Sequence, residues 1–288
     1  MPELPEVETV RRTLAPLVGK VIASSWGSGK PLHMNRPVPY EAIARYAVTT
    51  TIRAIRRHGK YLLLDLAARR GPSQVLLVHL GMTGRLRIHA VGEPRGVHTH
   101  LVLGLREPSK RKIRHELRYT DIRRFGQLDL VTAGAEAAHP ALRVLGRDPL
   151  VEPLDGSFIH SHARQSGQAI KSFLLNQRII SGLGNIYASE ALWLARIRPT
   201  LRARKLSRPR AALLAEAVTQ VLHHALTHGG TSLKDFVAAD GAQGSHSDYL
   251  QVYGRGGEPC RRNTCKGTIR RTVIQGRATF HCPKCQER

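Results

Sequence analysis

Cysteine is missing from the first 259 residues of this 288-residue chain, and all four cysteines stand between residues 260 and 285. A disulfide framework would scatter its cysteines, so this distribution excludes a disulfide-stapled fold and marks the C-terminal end as a chemical unit of its own. Acid is also scarce: 21 Asp and Glu face 45 Lys and Arg, a net charge of +24. No apolar run reaches the length of a membrane span, and the first residues lack the charged-then-apolar character of a signal segment. The expectation is a soluble intracellular protein with no membrane partner. Nothing in the pattern calls for oligomerisation, so a monomer is expected.

What is present is mostly base. Arg outnumbers Lys 35 to 10, and guanidinium is the planar, bidentate partner of phosphate. Genome composition can explain Arg over Lys, but not the excess of base over acid. Such an excess points to a polyanion, nucleic acid before membrane surface. If six of these charges neutralised phosphates, affinity would fall about a thousandfold between 50 and 200 mM salt. The length and 41% hydrophobic content suit one large or two ordinary domains.

The chain opens Met-Pro-Glu-Leu-Pro-Glu. Removal of Met1 would leave Pro2 as a secondary amine beside Glu3. An α-amine has a reference pKa of about 8, so roughly a tenth is unprotonated at pH 7 and able to attack an aldehyde-level carbon. Pro2 and Pro5 equally suit the start of a helix. Residues 5–18 read as amphipathic, with Val7, Val10, Leu14 and Leu17 on one face, Glu6 and Glu8 at the positive dipole end, and Gly19 as the stop. From about 20 to 133 the texture is β, with Tyr61–Leu66, Gln74–Val78, Leu86–Ile88 and Leu101–Leu103 as strands of a sandwich. Lys110-Arg111-Lys112 falls on a hairpin turn. Residues 134–154, with Pro140, Pro149 and Pro153, read as a linker. Helices follow: Asp155 capping one through 165, then 168–176, then one from Asn185 to about 196. A long helix capped by Ser207 runs to His228 with Leu213, Leu214, Val218, Val221, Leu222 and Leu226 buried, ended by Gly229-Gly230. His223 and His224 read as ordinary surface or core residues. The expected domains are 1–133, the linker 134–154, 155–250 and 251–288.

Four constellations carry chemistry. Cys260-x4-Cys265-x16-Cys282-x2-Cys285 sets two close pairs around a hairpin-length insert, a tetrahedral Zn²⁺ pattern whose four thiolates leave no open position. A redox Cys282-x2-Cys285 would leave the first pair unexplained. Arg277 sits at the tip of that hairpin, placed for a phosphate. Asn185 opens a helix after a Gly-bearing turn, where N–H groups can hold phosphate, with Lys171 one helix earlier. Two β-region turns, His79-Leu-Gly-Met82-Thr-Gly and Asp121-Ile-Arg123-Arg124-Phe125-Gly, carry Met, Arg and Phe suited to filling a gap in a base stack, or else to core packing. Lys60 follows Arg56-Arg57-His58-Gly59 ahead of a buried strand, as a phosphate or proton-transfer group or a solvated charge.

Taken in order along the whole length, these segments resemble the bacterial formamidopyrimidine-DNA glycosylases. The resemblance implies an α+β fold: an N-terminal helix on a β-sandwich, then a helix-two-turn-helix domain and a zinc-finger hairpin, with double-stranded DNA carrying an oxidised base in a cleft. It implies Pro2 as nucleophile at C1′, Glu3 as the acid that opens the sugar and Glu6 as the group ordering the helix start. Lys60 would assist β-elimination and Arg277 δ-elimination. Lys171, Asn185 and His98 would contact phosphates, and Met82, Arg123 and Phe125 would fill the gap left by the everted base. One structural Zn²⁺ would sit on Cys260, Cys265, Cys282 and Cys285. The Gly-rich stretch from Asp240 would be the flap over the base. The chain departs from the family's usual pattern in a longer, more basic 105–118 hairpin and in Ile122 where Pro is common. Two other readings stay open: an endonuclease VIII-like enzyme for oxidised pyrimidines, and a non-catalytic zinc-ribbon DNA-binding protein.

Overall fold

The computed structural model describes residues 2–33, 36–231, 239 and 244–286. The chain divides into two compact units, one made of 1–143 with 229–244, the other of 144–228 with 245–288.

The first unit begins with α1 (Leu4–Thr13), which buries Leu4, Val7 and Val10. The helix is shorter than its apolar pattern predicts. Pro16 has no N–H and its ring clashes with the preceding turn, so the chain tightens into a 3₁₀ turn at Ala15–Leu17. Leu14 and Leu17 still reach the core. Eight antiparallel strands follow: β1 (Val21–Gly27), β2 (Thr51–His58), β3 (Tyr61–Ala67), β4 (Gln74–His79), β5 (Gly84–Ala90), β6 (Thr99–Arg106), β7 (His115–Asp121) and β8 (Gln127–Thr132). They form one hydrogen-bonded sheet in the order β5-β7-β6-β1-β2-β3-β4-β8. The sandwich is this sheet bent over itself. β1 and β2 pair at Val21–Thr51 alone, and Ile22, Leu103 and Leu117 from one half share a core with Leu62, Leu64 and Leu76 from the other. A short helix, α2 (Tyr40–Tyr46), interrupts the β texture and adds Ile43 to that core. The basic residues 110–112 lie exposed between β6 and β7, as expected.

The second unit is helical. Asp155 caps α3 (Gly156–Arg164) by accepting from the Phe158 N–H at 2.8 Å. α4 is only Ile170–Leu174. Its first N–H groups are taken by the carbonyls of Leu201 and Pro199, and the Asn176 side chain accepts from the Arg178 N–H, which ends the helix in a turn. α5 (Asn185–Leu194) and α6 (Arg208–Thr227) complete the layer. Ser207 stands at the α6 N-cap, but its hydroxyl makes no capping bond. Leu213 is 54% exposed rather than buried. It lies about 100° around the helix from Leu214, off the stripe of Ala211, Leu214, Ala215, Val218, Leu222 and Ala225. Gly229 and Gly230 end α6 with φ of +70° and +84°. In the segment read as a linker, Gly146 and Arg147 donate backbone bonds to Gln177 and Ile179. Last comes a two-stranded hairpin, β9 (Arg270–Ile274) and β10 (Arg277–His281).

Candidate functional site

In the first unit, Pro2, Glu3 and Glu6 are all buried at the start of α1. Glu3 is the N-cap residue, and its N–H donates to Glu6 Oε2 at 2.8 Å. The other carboxylate oxygen of Glu6 accepts from the Thr231 N–H at 2.8 Å. Thus a residue 225 positions away closes over the helix start. The approach is tight: a Cβ on Gly230 would stand 2.9 Å from Glu6 Oε1. A charged acceptor bound by two backbone N–H groups is fixed in place, and it fixes the residue beside Pro2.

Lys60 lies on the Gly59-Lys60 turn between β2 and β3, where Gly59 has φ of +56°. That turn is tied to α1. Arg57 donates to the Gly59 carbonyl at 3.0 Å and to Glu8 at 3.1 Å, and Glu8 also accepts from Arg11 and Arg12. Burial alone would raise the Glu8 carboxyl, but the three guanidinium groups overcome it and hold it at about 2. Behind Lys60 is His79, which burial first and the Lys60 charge second depress to about 4. It therefore stays neutral, with Nδ1 accepting the Gly81 N–H at 3.1 Å.

That bond begins the turn that carries Met82. Met82 is half-buried, Arg123 is exposed and Phe125 is 37% exposed. The Arg123 guanidinium lies 4.6 Å from the Phe125 ring centroid. The two turns are joined through one buried carboxylate, Asp121. Its Oδ1 accepts from Thr83 at 2.6 Å, and its Oδ2 from the Gly126 N–H at 2.8 Å and the Tyr119 hydroxyl at 3.3 Å. Thr83 in turn accepts from the Arg123 N–H at 3.1 Å. Burial first, then the Asp121 charge, push the Tyr119 phenol well above its usual range, so it remains a donor. His98 is exposed beside them, its carbonyl bonded to the Asp121 N–H. Gly81 is a required close approach, since a Cβ there would meet the Phe125 carbonyl carbon at 2.5 Å.

The second unit gathers Lys171, Asn185 and Arg277. Lys171 is 1% exposed, and its ammonium donates to the Ala278 carbonyl at 2.9 Å and to Thr279 Oγ1 at 2.8 Å. Asn185 Nδ2 donates to the same Ala278 carbonyl at 2.9 Å. The helical layer therefore holds the hairpin at the Ala278 carbonyl and the Thr279 hydroxyl. Arg277 is exposed next to it, after a two-residue turn in which Gln275 and Gly276 both have positive φ.

The four cysteines converge with no disulfide, all ligand atoms within 4.8 Å of one another. Cys260 and Cys285 Sγ are 3.8 Å apart, Cys265 and Cys282 3.6 Å. Four sulfurs each about 2.3 Å from one ion at tetrahedral angles stand about 3.8 Å apart, so the donor set fits zinc. Gly267 is needed there, because a Cβ would come 2.6 Å from Cys282 Sγ. The cluster is anchored to α5: Trp193 Nε1 donates to Cys260 Sγ at 3.4 Å, and buried Glu190 accepts from the N–H groups of Gln251, Val252 and Tyr253.

The domain model described as formamidopyrimidine-DNA glycosylase N-terminal domain matches residues 1–128, and that for the H2TH domain of the same enzymes matches 145–237. The chain belongs to the formamidopyrimidine-DNA glycosylase family. It is 45% identical to the formamidopyrimidine-DNA glycosylase of Cupriavidus pinatubonensis and 39% to that of Roseobacter denitrificans, in each case over 99% of this chain and all of the relative. Among solved structures it is similar to the Lactococcus lactis Fpg in complex with DNA containing an abasic site, with a TM-score of 0.87, 33% identity and coverage of 99% of this chain and all of that one. The same Lactococcus protein is known in complex with DNA containing an oxidised pyrimidine, again with a TM-score of 0.87 and 33% identity.

Against the family's site residues, three partners escaped a reading of the sequence: Thr231 over Glu6, Asp121 between the two turns, and His79 behind Lys60. Asp121 and His79 begin the motifs in which they act, which is the only local signal they give. Residues 240–243 of the expected flap lie outside the described residues.

Proposed function

We propose that this chain is a bifunctional DNA glycosylase and abasic-site lyase that excises oxidised purines, using Pro2 as its nucleophile. The observation that carries the reading is the built helix start, in which Glu6 fixes the Glu3 backbone beside Pro2 and is itself held from Thr231. With Met1 removed, the Pro2 nitrogen forms a bond to C1′ as the bond to the base breaks, and Glu3 delivers the proton that opens the sugar at O4′. The resulting iminium withdraws electrons from the neighbouring carbon, so loss of a C2′ proton expels the 3′ phosphate, and a second elimination expels the 5′ phosphate. Lys60 assists the first elimination and Arg277 the second. Met82, Arg123 and Phe125 occupy the place of the everted base, on the frame supplied by Asp121, while His98 and Asn185 serve phosphate contact and Lys171, buried with its ammonium on Ala278 and Thr279, lends its charge to that region from behind the hairpin.

One Zn²⁺ on Cys260, Cys265, Cys282 and Cys285 would stabilise the hairpin, with roughly 10 kcal/mol or more available to so small a core. The chemistry stays with the amine. Double-stranded DNA is the partner, as the charge of +24 supports. The chain acts as a monomer in the bacterial cytoplasm, at the nucleoid; among the described residues no helix is long and apolar enough to cross a membrane.

Duplexes carrying 8-oxoguanine, an oxidised thymine or an abasic site, incubated with the protein and reduced with borohydride, test this. A covalent adduct with 8-oxoguanine is expected. An adduct with oxidised thymine alone would overturn the purine assignment, and none with any of the three would overturn the enzyme. A form that keeps Met1 should lose trapping and retain DNA binding.

A further inference from the structure

The end of α6 carries two histidines one turn apart, His224 and His228, and the chain returns beside them with His246. One ring nitrogen from each lies within 4.8 Å of the other two, the residues being exposed, half-buried and buried in that order. Nδ1 of His224 faces Nδ1 of His246 at 3.3 Å. Two imidazole nitrogens bound at about 2.05 Å to one tetrahedral ion also stand about 3.3 Å apart. His228 Nδ1 lies 2.8 Å from the His224 carbonyl. A carbonyl only accepts, so that nitrogen carries the proton and the Nε2 lone pair of His228 is left to serve as a ligand. Beside the cluster is a cavity of about 310 Å³ lined in part by His224, His246, Tyr249, Glu190 and Gln220, with room for water molecules as further ligands.

We propose that His224, His228 and His246 form a second metal site, distinct from the four cysteines, for a divalent first-row transition ion. Three imidazoles without a thiolate suit nickel, copper or zinc rather than magnesium or calcium. Carbon-rich surroundings, including the Tyr249 ring 4.2 Å from that of His228, would shield the ion on one side. The site also has a structural consequence. The segment 229–244 leaves the second unit after His228 and rejoins it at Ser245, whose N–H donates to the His228 carbonyl at 3.0 Å. An ion on these three residues would fasten the end of α6 to the chain just after Ser245.

The test uses tag-free, full-length protein loaded to one zinc per chain. It is equilibrated with Ni²⁺, and bound nickel and zinc are measured together by metal analysis and calorimetric titration. One nickel per chain is expected, with zinc retained. His224→Gln and His228→Gln, both at least partly exposed and so compatible with folding, should each weaken nickel binding at least tenfold. His223→Gln, on the neighbouring exposed position, should leave it unchanged. Absence of saturable binding would overturn the proposal. So would nickel uptake that releases an equal amount of zinc, or equal losses in the His223 and His228 variants.

Discussion

Substituting the two glycines after α6 in turn separates backbone strain from a specific effect on the start of α1. Gly229 and Gly230 both have left-handed φ, +70° and +84°, so Ala at either costs roughly 1–2 kcal/mol in strain. Their surroundings differ. A Cβ at 229 meets nothing closer than 3.5 Å, whereas one at 230 comes 2.9 Å from Glu6 Oε1 and 3.2 Å from its Cγ. The Glu6 carboxylate must then retreat from the Thr231 N–H, which loses a charge-assisted bond of about 1.5–3 kcal/mol. Gly229→Ala should therefore cost about 1–2 kcal/mol and Gly230→Ala about 2.5–5. Urea unfolding measures the first quantity, and single-turnover excision under saturating enzyme measures the second consequence. Gly230→Ala should slow excision because Glu3 loses its fixed partner, while Gly229→Ala should excise at close to the parent rate. Equal destabilisation by the two substitutions, or an unimpaired rate in Gly230→Ala, would refute the role given to the Glu6–Thr231 contact.

The Glu8 carboxyl is depressed from 4.5 to about 2 on folding, so the stability it contributes is full above pH 4.5 and is lost as pH falls toward 2. Discounted for solvent screening of the partly exposed Arg11 and Arg12, the shift corresponds to about 1–3 kcal/mol. Acid titration of unfolding free energy should show this loss, and Glu8→Gln should flatten the curve in that window. Asp121→Asn puts an amide where Gly126 N–H, Thr83 and Tyr119 all donate, and should cost about 1–3 kcal/mol. Excision from duplex DNA should fall more than trapping on single-stranded abasic DNA, where no stacked gap needs filling; equal losses would argue against a frame for the wedge turns. Chelation of zinc should change Trp193 fluorescence in Trp26→Phe protein, because the Trp193 indole donates to Cys260 Sγ and the chain has only two tryptophans. An unchanged spectrum after verified metal loss would contradict the anchoring of the finger to α5.

Local pattern made much of the architecture readable. The apolar face of α1, the strands at Tyr61–Leu66 and Gln74–Val78, the Asp155 cap and the cysteine spacing each depend on neighbours within a few residues. What escaped depends on distant ones. Pro16 was visible, but the helix pattern ran through it to Leu17. Leu213 matched an apolar run, yet only packing decides which side of α6 faces the core. Lys171 read as a charge for a phosphate, and it is buried because the carbonyl of Ala278, 107 residues away, accepts from it. Thr231 offers no side-chain signal at all, since its backbone makes the contact. The histidines of α6 show helical i, i+4 spacing, but their third member comes from another segment.

The first unit is discontinuous, and this imposes an order on its making. Residues 1–143 can emerge from the ribosome and pair their strands, but Glu6 has no Thr231 until the chain has lengthened by about 90 residues more. At about 5–20 residues per second that interval is roughly 4–18 s. During it the nascent chain carries Pro2 and the two turns of Met82 and Phe125 without the contact that seats the helix start. A polypeptide released early would lack that contact permanently. Truncation within the helical half should therefore yield a protein with an intact sheet and a helix start that lacks its Thr231 partner, so the fold ties the seating of the proposed nucleophile to completion of translation.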